Sequence, residues 1–293
     1  MNQAIPVKTL DTTNKEEFKA LHRDSPAIVR DGLKNHPSEG ITPEQISSMF
    51  GSAIVTFADE VEPEASSLSS SCPLSEFLNE VWMGPELKLG TRTFSTDAIP
   101  NLIDILPPPY FCEDWFESCL SKHWKNVVVA TSNHLWAFIG QSGCVSGLHQ
   151  DHNGVHTTLL QISGTKEVVL FSPEDSVEIC TFDNSANFNI TKSGTEVLVE
   201  FSNPPAGLNC NNLQPYYGKL HAGEVLYLPY RWGHFVRALS PSVTLSRDMI
   251  DERNVDFYFS SFFAHYVLEG ESDTRRDSPL SETSFSQLME EIS

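Results

Sequence analysis

The chain has 293 residues, 40% hydrophobic and 20% charged, which suits one large folded unit or two small ones and excludes a mostly disordered protein. Its 39 acidic residues outweigh 19 basic ones, for a formal net charge of −20, and a surface of that sign repels nucleic-acid backbone and anionic membrane. The same charge keeps a protein soluble, and it would also suit a basic peptide or a cationic small substrate.

From the N-terminus, Asn14–His22 has helical spacing, with Phe18 and Leu21 as its apolar positions. Ala27–Val29 is a short β-branched run and reads as a strand. Thr42 followed by Pro43 and Glu44 is a helix start, with a cap, a proline at the first position and an acid near the positive end of the dipole. That helix is expected to run to about Phe50 and stop at Gly51. Ile54–Phe57 is the next strand candidate, Glu60–Ser71 reads as an acidic, Ser-rich loop, and Leu74–Val81 returns to helix. The prolines of Ile105–Phe111 lack backbone donors, so this stretch is expected to be an extended connection.

From Val127 onward short strands alternate with turn signals. The candidates are Val127–Ala130, His134–Ile139, Thr157–Ile162, Glu167–Phe171, Glu196–Phe201, Glu224–Leu228, Phe235–Ala238 and Val243–Ser246. Ser163-Gly164, Ser172-Pro173 and Ala222-Gly223 punctuate them. Such spacing predicts a mainly β fold, a barrel or double-sheet jelly roll with flanking helices. Asp256–Leu268 reads as an apolar helix, Glu269–Ser281 as a polar flexible stretch, and Phe285–Ile292 as a short amphipathic helix. The expected organisation is an N-terminal α/β part over residues 1–125, a β core over 126–250 and a helical, acidic C-terminal part over 251–293. The apolar C-terminal helices could pair two copies of the chain.

Cys72, Cys112, Cys119, Cys144, Cys180 and Cys210 are scattered, with no Cys-x-x-Cys, and read as reduced thiols of a cytosolic protein. The first residues show no basic region followed by an apolar run, so no signal peptide is expected, and no apolar stretch approaches membrane-spanning length. These features point to the cytoplasm, with the nucleus left open.

Three residues carry the chemistry. His149 and Asp151 stand two apart, and alternate residues of a strand share a face. His234 follows Asp151 by 83 residues. In a closed β fold such distant strands lie side by side, so two imidazoles and one carboxylate could meet on one face of an ion. That donor set, with open positions left over, is the usual one of a non-haem Fe(II) oxygenase.

The runs Phe138–Asp151, Leu160–Asp175 with its Gly164-Thr165-Lys166, and Gly223–Pro229 closing in Trp232-Gly233-His234 together resemble the JmjC (cupin-like) Fe(II)/2-oxoglutarate oxygenases. Within that family the nearest likeness is to the small hydroxylase branch that includes the asparaginyl hydroxylase of the hypoxia pathway. The resemblance covers roughly residues 25 to 250, with its specific motifs in 138–247. It implies a double-stranded β-helix core and a catalytic iron held by His149, Asp151 and His234. It assigns Lys166 to the far carboxylate of 2-oxoglutarate, with Ser146 as a hydroxyl helper and Thr157 or Thr158 as a second polar contact. At the place of a common family Asn stands Asp248, a carboxyl that would repel the cosubstrate unless Arg247 or a proton offsets it. His152, Asn153 and His156 are expected in the loop after the metal motif, where substrate could be sensed, and Trp136 and Tyr227 are candidates for the pocket wall.

The implied activity is an Fe(II)-, O2- and 2-oxoglutarate-dependent dioxygenase. It would hydroxylate a C–H bond of a protein side chain, peptide or small molecule, releasing succinate and CO2. Two other readings stand beside it. One is a metal-dependent cupin dioxygenase without 2-oxoglutarate, which has no need of a cation at Lys166. The other is a non-enzymatic cupin-like binding module, which has no need of an intact triad.

Overall fold

The computed structural model describes residues 1–11, 14–22, 24–58, 69–83, 92–95, 106–119, 134–180, 188–202, 204 and 207–263. The strand expected at 127–130, the tail beyond 263 and most of the loop expected at 60–71 lie outside them.

Three short strands, β1 (Asn2–Gln3), β2 (Ile5–Pro6) and β3 (Lys8–Leu10), precede helix α1 (Lys15–His22). Asn14 caps α1, its Oδ1 accepting the Glu17 N–H at 2.7 Å, and Phe18 turns into the core. Ala27–Val29 forms β4 as expected. Helix α2 (Pro43–Phe50) begins with a closed capping box: Thr42 Oγ1 accepts from the Gln45 N–H and Gln45 Oε1 from the Thr42 N–H. Next come β5 (Ile54–Ala58) and β6 (Ser69–Pro73), an antiparallel pair, so Ser69–Ser71 are in a strand rather than the loop expected. A ladder needs backbone partners, not apolar side chains, and β5 supplies them. Helix α3 (Leu74–Met83), strand β7 (Arg92–Ser95) and the short helix α4 (Trp115–Ser118) follow. Pro107–Pro109 are outside regular structure, as their missing donors require.

The core runs β8 (Leu135–Gly140), β9 (Val145–His149), a one-turn 3-10 segment at His152–Gly154, β10 (His156–Ser163), β11 (Thr165–Phe171), helix α5 (Pro173–Cys180), β12 (Phe188–Ser193), β13 (Glu196–Phe201), β14 (Tyr216–His221), β15 (Val225–Leu228), β16 (Gly233–Ala238), β17 (Ser242–Met249) and helix α6 (Val255–Phe263). One sheet has the order β3-β4-β15-β10-β17-β8-β7 and the facing one β2-β14-β11-β16-β9. From β8 to β11 and again from β14 to β17 the chain changes sheet at almost every strand. Two four-stranded halves therefore wind round one interior as a jelly roll. Gly164 alone makes the crossing from β10 to β11, at φ +78, with its Cα so close to the Pro241 carbonyl that a Cβ would lie 2.1 Å from that oxygen. Residues on both sides of position 125 share the larger sheet.

Three apolar clusters explain why many strands are buried along their whole length. Outward residues of the larger sheet, such as Leu135, Leu160 and Val225, pack on α1, α2, α3 and α6 through Phe18, Phe50, Phe77 and Phe259. Inward residues, Leu159, Val168, Leu226 and Val236 among them, fill one end between the sheets. Outward residues of the smaller sheet, including Val169, Phe171 and Phe235, meet β12 and β13 through Phe188 and Phe201. Strands covered on both faces lose the polar alternation of a one-sided sheet. Among the described residues, Cys72, Cys112, Cys119, Cys144 and Cys210 form no disulfide. No helix among the described residues is long and apolar enough to cross a membrane.

Candidate metal centre

His149 and His234 are partners in the antiparallel pairing of β9 with β16. Their ring centroids are 4.2 Å apart. His149 ends its strand and Asp151 lies just beyond it in extended backbone, so the pair is not within one strand as the spacing suggested. The carboxylate still turns to the same place. Asp151 Oδ1 lies 3.9 Å from His149 Nε2 and 3.6 Å from His234 Nε2, and one ligand atom from each residue falls within 4.8 Å of the others. A ladder irregularity lets both Ser146 and His149, three residues apart, face the interior.

The imidazoles are oriented for an ion. His149 Nδ1 is 2.7 Å from the Gly147 carbonyl and His234 Nδ1 is 3.3 Å from the Trp232 carbonyl. A carbonyl only accepts, so each Nδ1 carries the hydrogen and each Nε2 presents its lone pair to the centre. Burial and the neighbouring His149 push His234 down to about 4, which keeps it neutral near pH 7. Two imidazoles and one carboxylate are a donor set for a divalent transition metal. Gln150 Nε2 donates to the Arg231 carbonyl, tying the loop after β9 to the loop before β16. Arg231 and Asn153, one in each loop, hold left-handed backbone at φ 67 and 60.

Beyond the triad the pocket runs between the sheets, with Lys166 on β11 and Ser146 on β9 in its wall. Lys166 is buried, its Nζ 5.8 Å from the centre of the Phe138 ring. Desolvation lowers it from 10.5 to about 7, and no carboxylate among the described residues offsets that. An ammonium so placed gains from an anion, and a dicarboxylate spanning ion and lysine supplies one. The residues present thus fit both the ion and the cosubstrate.

Of the two threonines, Thr157 faces the pocket, while Thr158 points to the opposite side and donates to the Arg247 carbonyl. Thr157 Oγ1 lies 2.6 Å from Asp151 Oδ2 and 3.0 Å from Asp248 Oδ1. Asp248 therefore occupies the interior side of β17. Burial raises its pKa, with the Asp151 charge acting in the same direction. Arg247 does not offset it. That side chain points outward and is buried against Asp114 at 2.8 Å, Glu117 at 2.7 Å and the Leu106 carbonyl at 2.7 Å.

Other candidates fall elsewhere. His156 opens β10 rather than sitting in the loop, and is buried with Asp251, Tyr230 and Tyr227 around its ring. Tyr227 packs against Phe18 in the helix-facing core and bonds Arg253, outside the pocket. Trp136 does not line the pocket, whereas Phe138 on the same strand does. His152 and Asn153 form the 3-10 turn, and Asn153 Oδ1 accepts from Ser261 on α6. Thr244, Ser246 and His134 went unnoticed in the sequence. Alternation along Ser242–Met249 could have found the first two, since they share a face with Asp248.

The sequence model of the family described as "Cupin-like domain" matches residues 63–265, more than half of the chain. "JmjC domain-containing protein D" of Dictyostelium discoideum is 36% identical over 114 residues, 37% of this chain and 23% of that protein. "Lysine-specific demethylase 8" of Xenopus tropicalis is 28% identical over 152 residues, 51% of this chain and 30% of that protein. "2-oxoglutarate and iron-dependent oxygenase JMJD4" of Gallus gallus is 24% identical over 220 residues, 70% of this chain and 48% of that protein. The chain thus spans from about a quarter to about half of the length of these relatives.

Proposed function

The chain belongs to the cupin-like domain family, and on that premise we propose that it is an Fe(II)- and 2-oxoglutarate-dependent oxygenase that hydroxylates a C–H bond of a protein side chain or peptide. The observation that carries the reading is the shared pocket: the His149–Asp151–His234 cluster opens onto the same interior as the buried Lys166. A cupin dioxygenase without 2-oxoglutarate gains nothing from a desolvated cation there. A binding module gains nothing from two imidazoles held with Nε2 toward a carboxylate.

His149, Asp151 and His234 would hold the ion. Bound with 2-oxoglutarate, it supplies the oxidising chemistry in which O2 and the cosubstrate give succinate, CO2 and one oxygen atom for the substrate. Lys166 would pair with the far carboxylate and Ser146 would add a hydroxyl. Phe138, Leu159 and Val236 form apolar wall around that end, strengthening the charge pairing and excluding water. A protein or peptide substrate is favoured by a relative named as a lysine-specific demethylase, and the net charge of −20 suits a basic sequence. Demethylation would be the same hydroxylation placed on an N-methyl carbon.

The test is calorimetry of 2-oxoglutarate on the Mn(II)-loaded chain, followed by succinate release with Fe(II) and a peptide panel. Wild type should bind 2-oxoglutarate, and Lys166→Met should keep Mn(II) but lose the cosubstrate by about a hundredfold or more. Mn(II) binding with no 2-oxoglutarate binding would favour the cosubstrate-free dioxygenase. No Mn(II) binding at all would favour the binding module. Formaldehyde release in place of a hydroxylated product would identify an N-methyl substrate.

A further inference from the structure

Two carboxyl groups meet on one hydroxyl inside the barrel. The Thr157 hydroxyl has one hydrogen and two oxygen neighbours, Asp151 Oδ2 at 2.6 Å and Asp248 Oδ1 at 3.0 Å. The shorter contact is to the metal-centre carboxylate, which only accepts. The contact to Asp248 then needs a hydrogen from Asp248 as a carboxylic acid. Behind Asp248 the order continues. Asp248 Oδ2 lies 3.2 Å from His134 Nδ1, and His134 Nε2 lies 2.7 Å from the Tyr258 hydroxyl. With its hydrogen on Nδ1, His134 donates to Asp248 and accepts from Tyr258.

Four hydrogen bonds thus run head to tail from Tyr258 through His134, Asp248 and Thr157 to Asp151. They end on Oδ2, while Oδ1 is the oxygen that approaches both imidazoles. His134 and Tyr258 are buried, and their rings are clamped by Phe116, which stacks on His134 with centroids 4.9 Å apart and meets Tyr258 edge-on. The donors in the chain are therefore held from behind.

We infer that Asp248, backed by His134 and Tyr258, is a positioning residue: through Thr157 it pins Asp151 Oδ2 and leaves Oδ1 as the oxygen that binds the ion. A carboxylate bound through one oxygen keeps a coordination position open for cosubstrate or O2, whereas one bound through both would fill it. This inference rests on the reading of His149, Asp151 and His234 as ion ligands. It also gives a physical account of the carboxyl at position 248. As an acid, Asp248 offers Thr157 a hydrogen, as an amide would.

The experiment uses Co(II) as probe on the full chain, reading its affinity by calorimetry and its coordination by visible absorption at saturation. Thr157→Val and Asp248→Leu should each weaken Co(II) binding about tenfold and change the visible band. Asp248→Asn should keep both near wild type, because its amide can donate to Thr157. The Thr157→Val, Asp248→Leu double variant should lose no more than Thr157→Val alone, since both act through one bond. Should Asp248→Leu fail to fold, Tyr258→Phe removes one oxygen at the far end. It should weaken Co(II) about threefold in the wild-type background and not in Thr157→Val. A merely structural role would lower the melting temperature and leave the saturated spectrum unchanged. Wild-type spectra in both Thr157→Val and Asp248→Leu, independent multiplying losses, or no effect of Tyr258→Phe would overturn the inference. Absence of Co(II) binding by wild type would overturn the metal centre with it.

Discussion

His149 and His234 stand directly opposite each other on neighbouring antiparallel strands, each with Nδ1 on the carbonyl two residues before it. The geometry of the centre is therefore built by backbone pairing, and loss of one ring should remove the ion without unravelling the sheet. His149→Ala and Asp151→Ala are expected to abolish Mn(II) binding and turnover while shifting the stability of the metal-free chain by about 1 kcal/mol or less. Mn(II) at a hundred times its Kd should stabilise wild type by about 2.7 kcal/mol, read as a higher Tm, and should not move the Tm of either variant. Full activity in either variant would show that the centre lies elsewhere.

Lys166 sets a pH dependence of known sign. Its folded pKa, about 7, lies below the unfolded value of 10.5, so between those limits the unfolded chain holds the extra proton. Stability of the ligand-free protein should rise as pH increases from about 7 to 10.5. Below pH 7 the buried charge is present in full, and there Lys166→Met should stabilise the metal-free chain, by on the order of a few kcal/mol in urea titrations. Equal stability of variant and wild type across this range would contradict the burial of the Lys166 ammonium.

Cosubstrate binding should also move a proton. At pH 8 Lys166 is mostly neutral, and a carboxylate beside it would draw its pKa upward. Binding of 2-oxoglutarate at that pH should take up close to one proton, so its calorimetric enthalpy should vary with the ionisation enthalpy of the buffer. At pH 6 the dependence should vanish. A buffer-independent enthalpy at pH 8 would place the cosubstrate away from Lys166.

Arg247 and Asp248 are neighbours on opposite faces of β17, one in the outer core and one against Thr157 on the interior side. Arg247→Met would leave Asp114 buried without its guanidinium, and should cost about 3–5 kcal/mol in chemical denaturation. The folded fraction should still bind Mn(II) with wild-type affinity. A loss of affinity with stability intact would mean that Arg247 acts on the pocket.

Gly164 and Gly143 separate two costs of a side chain at positive φ. Both are left-handed, at φ +78 and +88, but only at Gly164 would a Cβ collide with backbone, the Pro241 carbonyl. Gly143→Ala should cost about 1 kcal/mol of backbone strain, and Gly164→Ala about 3 kcal/mol or more, measured by urea unfolding. Equal costs would show that the corner relaxes.

Much of the frame was legible because its signals are local. The Thr42–Gln45 box marks α2, and β-branched runs mark β4, β10 and β11. Strand β9 was missed as an element because Val145-Ser-Gly-Leu-His149 is short, polar and bent by an irregular pairing that only β16 imposes. Helix α5 begins at a proline taken as a turn signal. The His149–Asp151–His234 cluster was legible because its residue types and the two-residue spacing of His149 and Asp151 can be read without knowing the strand register. Which of Thr157 and Thr158 enters the pocket was not, since one step of register exchanges the faces of a strand. The same holds for Arg247 and Asp248. The partnership of Asp248 with His134 spans 114 residues and depends on β17 being seated beside β8.

The alternation of the chain between two sheets has a consequence in time as well as space. Asp151 is synthesised 83 residues before His234, with His149 just ahead of it, and Lys166 lies between Asp151 and His234 in the order of synthesis. Because β9 is paired with β16, His149 and Asp151 have no His234 beside them until nearly the whole winding is complete. A nascent or half-folded chain therefore lacks the assembled His149–Asp151–His234 cluster on which the proposed iron site depends. Ion capture at the proposed centre is thus expected as a late event that reports completion of the barrel.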